Sequence, residues 1–299
     1  MSSLHRRQFL QTSAALASTA LLGPSPLAVS AADSAKPAAV KYRLGMVTYN
    51  VSATWDLDTV LRVAKSVGLA AVEYRTTHKH GVEPTLSKAQ RKELKAKFAD
   101  SGVTFWGCGS TCEFHAVDPK VVAKNIETCK QFVELVADLG GTGVKVRPNA
   151  FPKGVSMDKT LEQIGKSLIP CGQAAADAGV EICVEVHGPG TSYPPHMKTI
   201  LEIANHRAVG ITWNSNPTDL MDGSIDKPFA MLKPWLKSCH INDLGSKYPY
   251  ARLFQLLADA GYDRYTMIEI GKTYPDVAEG EAFLKAYKQK WESLLPTAS

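Results

Sequence analysis

The sequence predicts an α/β protein whose units close into a (β/α)8 TIM barrel, and three observations carry this. From residue 43 onward one phrase repeats: a helical pattern, a glycine stop, then a short run of β-prone apolar residues. The stops at Gly68, Gly102, Gly141, Gly179, Gly210 and Gly261 are spaced by about one βα unit, except that the last interval has room for a second unit. No G-x-G-x-x-G or Walker pattern follows Tyr49, so an open doubly wound sheet that binds a nucleotide loses its support.

Taken in order, the expected strands are Arg43 to Tyr49, Leu69 to Tyr74, Val103 to Trp106, Val144 to Val146, Val180 to Val186, Ile211 to Trp213, Lys237 to Ile241 and Tyr265 to Ile270. Helix starts agree with the count. Asp118 stands before Pro119 as a capping residue before a proline at the first helical position, and Ser87 with Gln90 three residues later resembles a capping box. Pro228 to Leu236 reads as the short helix of the extra unit. Pro170 should kink or break the helix that runs from Met157 to Ala178.

Before the barrel lies a different kind of segment. Arg6 and Arg7 precede an Ala-rich apolar stretch that ends near Leu22, and small residues at 28–32 offer a cleavage site, so residues 1–32 read as a twin-arginine export signal. The apolar stretch falls short of the roughly 20 residues a bilayer span needs, which argues against a stable membrane anchor. The sequence therefore places the mature protein in the periplasm or outside the cell, with a linker at 33–42 and the barrel at 43–295.

Composition narrows the partners. With 299 residues, 44% hydrophobic and 21% charged, the chain has the profile of a globular protein with a sizeable core. Its net charge of +5 becomes +3 without Arg6 and Arg7, and the densest basic run, Lys88 to Lys97, is interleaved with Ala, Leu and Glu as on a solvated helix face. Nucleic acid is not an expected partner. Of the six cysteines, Cys183 and Cys239 sit in apolar runs as small hydrophobes, while Cys108 and Cys112 could form a disulfide in an oxidising compartment.

The chemistry of such barrels sits at the carboxyl ends of the strands. There the fifth to eighth strands carry Glu185, Asn214, His240 and Glu269, separated by 29, 26 and 29 residues. Carboxylates inside apolar runs are costly unless paired or coordinated, and a divalent cation would offset both. A lone strand histidine is usually a bonded core residue, but four metal-competent side chains at matching strand ends point to one site. His187, two residues after Glu185 and on the same face, Lys145 on the fourth strand and His80 after the second are candidates to position a substrate. Trp106 and Trp213 could stack on a sugar ring or simply fill the core, and Glu73 could pair with Arg75 or Lys145.

The order of those four residues, with the phrases Val184-Glu-Val-His-Gly188, His240-Ile-Asn-Asp243 and Ile268-Glu-Ile-Gly271, resembles the xylose isomerase-like TIM-barrel superfamily of sugar phosphate isomerases and epimerases. Val72-Glu-Tyr-Arg75 followed by His78-Lys-His-Gly81 is similar to that group as well. The resemblance implies a divalent ion, manganese foremost and zinc, cobalt or magnesium as alternatives, held by Glu, Asp, His and Glu. Here the Asp position is Asn214, whose carbonyl can ligate but lowers the shell charge from −3 to −2; Asp219 or His187 could supply a ligand instead.

The resemblance further implies a small-molecule sugar or keto-sugar substrate and abstraction of the proton α to its carbonyl through an enediolate. Glu185 and Glu269 resemble the paired acid/base glutamates of keto-sugar 3-epimerases. The same abstraction followed by loss of a β-substituent would make the enzyme a lyase or hydratase on keto-glycosides, and loss of metal through Asn214 would leave a noncatalytic sugar-binding barrel. Cleavage of DNA at abasic sites, known in a related family, would need three metals and more ligands than these strand ends provide. Barrels of this group are often dimers or tetramers, so a homo-oligomer is open.

Overall fold

The computed structural model of the chain describes residues 40–297, so the expected export signal lies outside the described residues. Eight strands, β1 (Arg43–Asn50), β2 (Ala71–Arg75), β3 (Thr104–Glu113), β4 (Gly143–Arg147), β5 (Glu181–Glu185), β6 (Val209–Trp213), β7 (Leu236–Ile241) and β8 (Tyr265–Ile270), pair in parallel in chain order. β8 closes on β1, with Leu44 opposite Thr266 and Met46 opposite Ile268. The helices that follow them are α1 (Leu57–Val67), α2 (Lys88–Ser101), α3 (Pro119–Leu139), α4 (Met157–Asp177), α5 (Pro194–Ala204), α6 (Asp226–Leu232), α7 (Tyr250–Asp259) and α8 (Val277–Ser293). The architecture is the (β/α)8 barrel that the repeated phrase predicts.

Local chemistry accounts for most helix ends. Asp118 accepts from the Lys120 N–H at the start of α3, and Ser87 and Gln90 close a reciprocal capping box on α2. α1 and α2 stop at left-handed glycines, Gly68 and Gly102, as expected. α3 stops at Gly140 rather than Gly141. Gly210 is not a helix stop at all: α5 ends at Asn205, and Gly210 lies inside β6, where a Cβ would come within 2.3 Å of the Trp235 carbonyl oxygen. Pro170 does not break α4. The carbonyl it cannot serve belongs to exposed Lys166, where water can take the place of the missing N–H.

The core has two parts. Val47, Ala71, Trp106, Cys183 and Met267 plug the barrel interior, and a larger set fills the layer between strands and helices. Trp106 and Trp213 are both core residues: each is 1% exposed, and the Trp213 indole donates to the Tyr248 hydroxyl at 2.9 Å. All six cysteines are free and buried. Cys108 and Cys112 cannot bridge, because four residues along one strand separate them by about 13 Å, beyond disulfide reach.

Candidate active site

Period-two alternation aims paired residues of each strand into the mouth of the barrel at its carboxyl end. Glu73 and Arg75 come from β2, Lys145 and Arg147 from β4, Glu185 and His187 from the end of β5, Asn214 from just past β6, His240 from β7 and Glu269 from β8. A cavity of about 240 Å³ opens there, lined by Tyr49, Arg75, Lys145, Arg147, Glu185, His187, Asn214, Asn216, Asn242 and Glu269. The β2–β4 wall carries the cations. The β5–β8 wall carries the carboxylates, amides and imidazoles.

One ligand atom each from Glu185, His240 and Glu269 lie within 4.8 Å of one another. His240 is fully buried, and its Nε2–H donates to Glu73 Oε2 at 2.9 Å. That bond leaves Nδ1 facing Glu269 Oε2 at 3.4 Å, where a positive charge, either a proton or a metal ion, satisfies both. Burial alone would depress His240, but the carboxylates of Glu73 and Glu269 pull it up to about 10. Glu73 itself is completely buried. A Cβ at position 109 would lie 2.7 Å from its Oε1, so Gly109 of β3 makes room for the carboxylate that holds His240.

Glu185 is 2% exposed and accepts from Lys145 Nζ at 2.6 Å and from Asn214 Nδ2 at 3.0 Å. Burial pushes its carboxyl up, yet Lys145, His240 and His187 together hold it well below the usual carboxylate range, so it is ionised at neutral pH. Asn214 spends its amide N–H on Glu185, which leaves Oδ1 buried without a partner. This orphaned oxygen, the unpartnered His240 Nδ1 and the two carboxylates form an oxygen-rich donor set that fits a divalent cation.

Two other sequence candidates stand apart from the cavity. His80 accepts the Val82 N–H on Nδ1 at 3.0 Å and lies 2.9 Å from the Arg75 carbonyl oxygen through Nε2. Both ring nitrogens are taken, so His80 fastens the loop after β2 and has no atom left for a substrate. Asp219 is fully buried, and its Oδ2 accepts from Asn216 N at 2.8 Å and Tyr248 OH at 2.9 Å. It is committed to this network and is not among the clustered ligand groups, so it does not replace Asn214. His187 does line the cavity, with a buried Nδ1 that has no partner.

Burial raises the Asp219 carboxyl from 3.8 to about 7, against its two hydrogen bonds. Between these values the folded chain keeps a proton that the unfolded chain has lost, so stability falls as pH rises from about 4 to 7 and is level above. Asp219→Asn removes this dependence. The drop in unfolding free energy from pH 4.5 to pH 8, measured by urea denaturation, should be roughly 2–4 kcal/mol smaller in the variant than in the wild type; an unchanged drop would exclude Asp219 as the source.

Sequence reasoning did not assign Glu73 to His240, because the two are 167 residues apart and meet only across the closed barrel. It also passed over Arg147. Ending the fourth strand at Val146 left out Arg147, and the alternation rule applied two residues beyond Lys145 would have found it.

Comparison with known proteins agrees with this fold. No curated protein matches the chain in sequence. Among solved structures it is similar to D-psicose 3-epimerase from Clostridium cellulolyticum H10, with 15% identity over 85% of this chain and 100% of that one and a TM-score of 0.72. It is also similar to a 3-keto-D-glucoside 4-epimerase from E. coli, with 16% identity over 85% and 99% and a TM-score of 0.68. A probable 3-DHS dehydratase from Bacillus anthracis gives 14% identity over 82% and 98% with a TM-score of 0.67. At these identities the likeness concerns the fold. The family described as xylose isomerase-like TIM barrel matches residues 61–287, most of the barrel, and the chain belongs to that family.

Proposed function

We propose that the protein is a divalent-metal-dependent sugar isomerase or epimerase that exchanges the proton on the carbon next to a sugar carbonyl. The observation that carries this reading is the convergence of Glu185, His240 and Glu269 within 4.8 Å, beside a cavity of about 240 Å³ that Glu185 and Glu269 line. A divalent ion held by Glu185, His240, Glu269 and the Asn214 carbonyl oxygen supplies Lewis acidity where negative charge develops on the substrate oxygen. Carboxylate oxygens with one imidazole suit manganese first, and zinc, cobalt or magnesium as alternatives.

The chain's own residues perform the proton work. Glu185 at the end of β5, ionised against Lys145, and Glu269 on β8 act as acid/base partners. One takes the α-proton, leaving the C–H electron pair in an enediolate, and the other returns a proton to the opposite face. Glu73 holds the His240 ring so that Nδ1 faces the site. Asn216, Asn242 and His187 line the cavity as donors and acceptors for sugar hydroxyls.

The same α-proton removal followed by expulsion of a β-substituent would make a lyase or hydratase, the alternative favoured by the fold shared with a probable dehydratase and a keto-glucoside epimerase. One experiment tests both. Ketohexoses and 3-keto-glucosides are incubated with the metal-loaded protein in deuterium oxide and followed by NMR. Deuterium at the α-carbon with an epimeric or isomeric product supports the proposal, an unsaturated product supports the alternative, and no exchange with any of them overturns both. Periplasmic or secreted placement is likewise our proposal, resting on residues 1–32.

A further inference from the structure

The three cations of the cavity are not equally occupied. Lys145 is spent on Glu185 at 2.6 Å. The Arg147 guanidinium reaches Glu113 at 2.5 Å, although its Nε is buried without a partner. Arg75 has no carboxylate within ion-pair distance among the described residues. Among the described residues its only side-chain hydrogen bond runs to the neighbouring Thr76 carbonyl oxygen at 3.0 Å, and its guanidinium lies 5.8 Å from the centre of the Tyr49 ring. Most of its N–H donors therefore have no partner among the described residues, and the residue lines the cavity.

A half-buried guanidinium with no direct ion-pair partner is costly, more so beside a second one, and Glu185 and Glu73 act on Arg75 only from beyond ion-pair distance. Arg75 and Arg147 line the same cavity; burial depresses Arg75, Arg147 adds to this, and Glu185, Tyr49 and Glu73 oppose it without cancelling it. Sugar hydroxyls could satisfy the hydrogen bonds but would leave the charge unbalanced. A carboxylate or phosphate would satisfy both, through the bidentate geometry that guanidinium groups favour.

The placement of these groups gives the cavity a direction. Arg75 and Arg147 occupy the β2–β4 wall, while Glu185, Asn214, His240 and Glu269 occupy the β5–β8 wall. A ligand spanning the mouth meets cations at one end and the proton-transfer groups at the other. We infer that the substrate carries an acidic oxygen group, a carboxylate or a phosphate, which Arg75 receives with Arg147 beside it, while the carbonyl end faces Glu185 and Glu269. This rests on the reading of the site as a sugar isomerase or epimerase and adds the charge class of its substrate.

The test is calorimetric titration of the purified, metal-loaded full-length protein with D-glucuronate, glucose 6-phosphate and D-glucose. At least one acidic sugar should bind about tenfold or more tightly than glucose, and added salt should weaken that preference. Arg75→Gln should abolish the preference, and Arg75→Lys should keep only part of it, since a point charge replaces the planar fork. Which acid wins tells carboxylate from phosphate. Equal binding of all three sugars, no detectable binding of either acid at millimolar concentration, or a preference that survives Arg75→Gln overturns the inference. An acid preference without α-proton exchange in any keto-sugar leaves this inference standing and removes the proposed reaction; exchange on neutral ketoses without an acid preference does the reverse.

Discussion

Replacing Glu269 with glutamine should lower the rate of solvent deuterium incorporation into an accepted keto-sugar by about 10²- to 10⁴-fold, the usual contribution of a positioned acid/base group. Glu269 Oε2 sits 3.4 Å from His240 Nδ1, and the residue lines the cavity, so the amide keeps the size of the side chain while removing its ability to carry a proton. Metal content measured on the same samples separates loss of the ion from loss of the base. A variant that retains metal and exchanges deuterium at the wild-type rate would remove Glu269 from the proton-transfer step.

The second large effect concerns Lys145. Its ammonium and the Glu185 carboxylate form an ion pair with each side chain 3% exposed. Breaking a buried pair from one side leaves the other charge stranded, at about 3–5 kcal/mol. Lys145→Met should therefore lower the unfolding free energy of the metal-free protein by about that amount near pH 8.

The sign of the pH dependence follows from Glu185. In the wild type its lowered carboxyl contributes stability above the unfolded value of 4.5 that is lost only as pH falls through its lower folded value. Without Lys145, the largest of the influences that hold it down, the carboxyl rises, so the variant's deficit shrinks as pH falls and Glu185 takes up a proton. Denaturation curves for both proteins at pH 4.5, 6 and 8 check this; a deficit that is small or independent of pH would mean that the pair is not what holds Glu185 in place.

The barrel was legible because its signals are local. Cap residues such as Ser87 and Asp118, glycines after helices and short apolar runs each act within a few residues, and together they mark eight units. The misreadings come where tertiary packing uses the same residue type for another purpose. Gly210 admits the close approach of the chain at Trp235 rather than ending a helix, and β3 continues well past Trp106 through glycines that by propensity disfavour strands. Pro170 was tolerated because of where it faces, which no local rule supplies.

The site divides along the same line. Glu185, Asn214, His240 and Glu269 could be chosen because strand ends recur at one βα interval. Their partners could not: Glu73 reaches His240 across the barrel, and Lys145 reaches Glu185 from a neighbouring strand. His80 looked like a site residue by its position after β2, yet its ring nitrogens are consumed by Val82 and Arg75. Whether a polar side chain is spent or free is a property of the folded neighbourhood.

The proposed reaction requires a cation held where Glu185, Asn214, His240 and Glu269 meet. Its most direct test is metal analysis by inductively coupled plasma mass spectrometry on protein purified without chelator, comparing wild type with His240→Ala after confirming that both fold. About one divalent ion per wild-type chain, lost in the variant, is the predicted result, since structural donors set such affinities. No bound ion in the wild type even after incubation with manganese, or equal metal in both proteins, would contradict it.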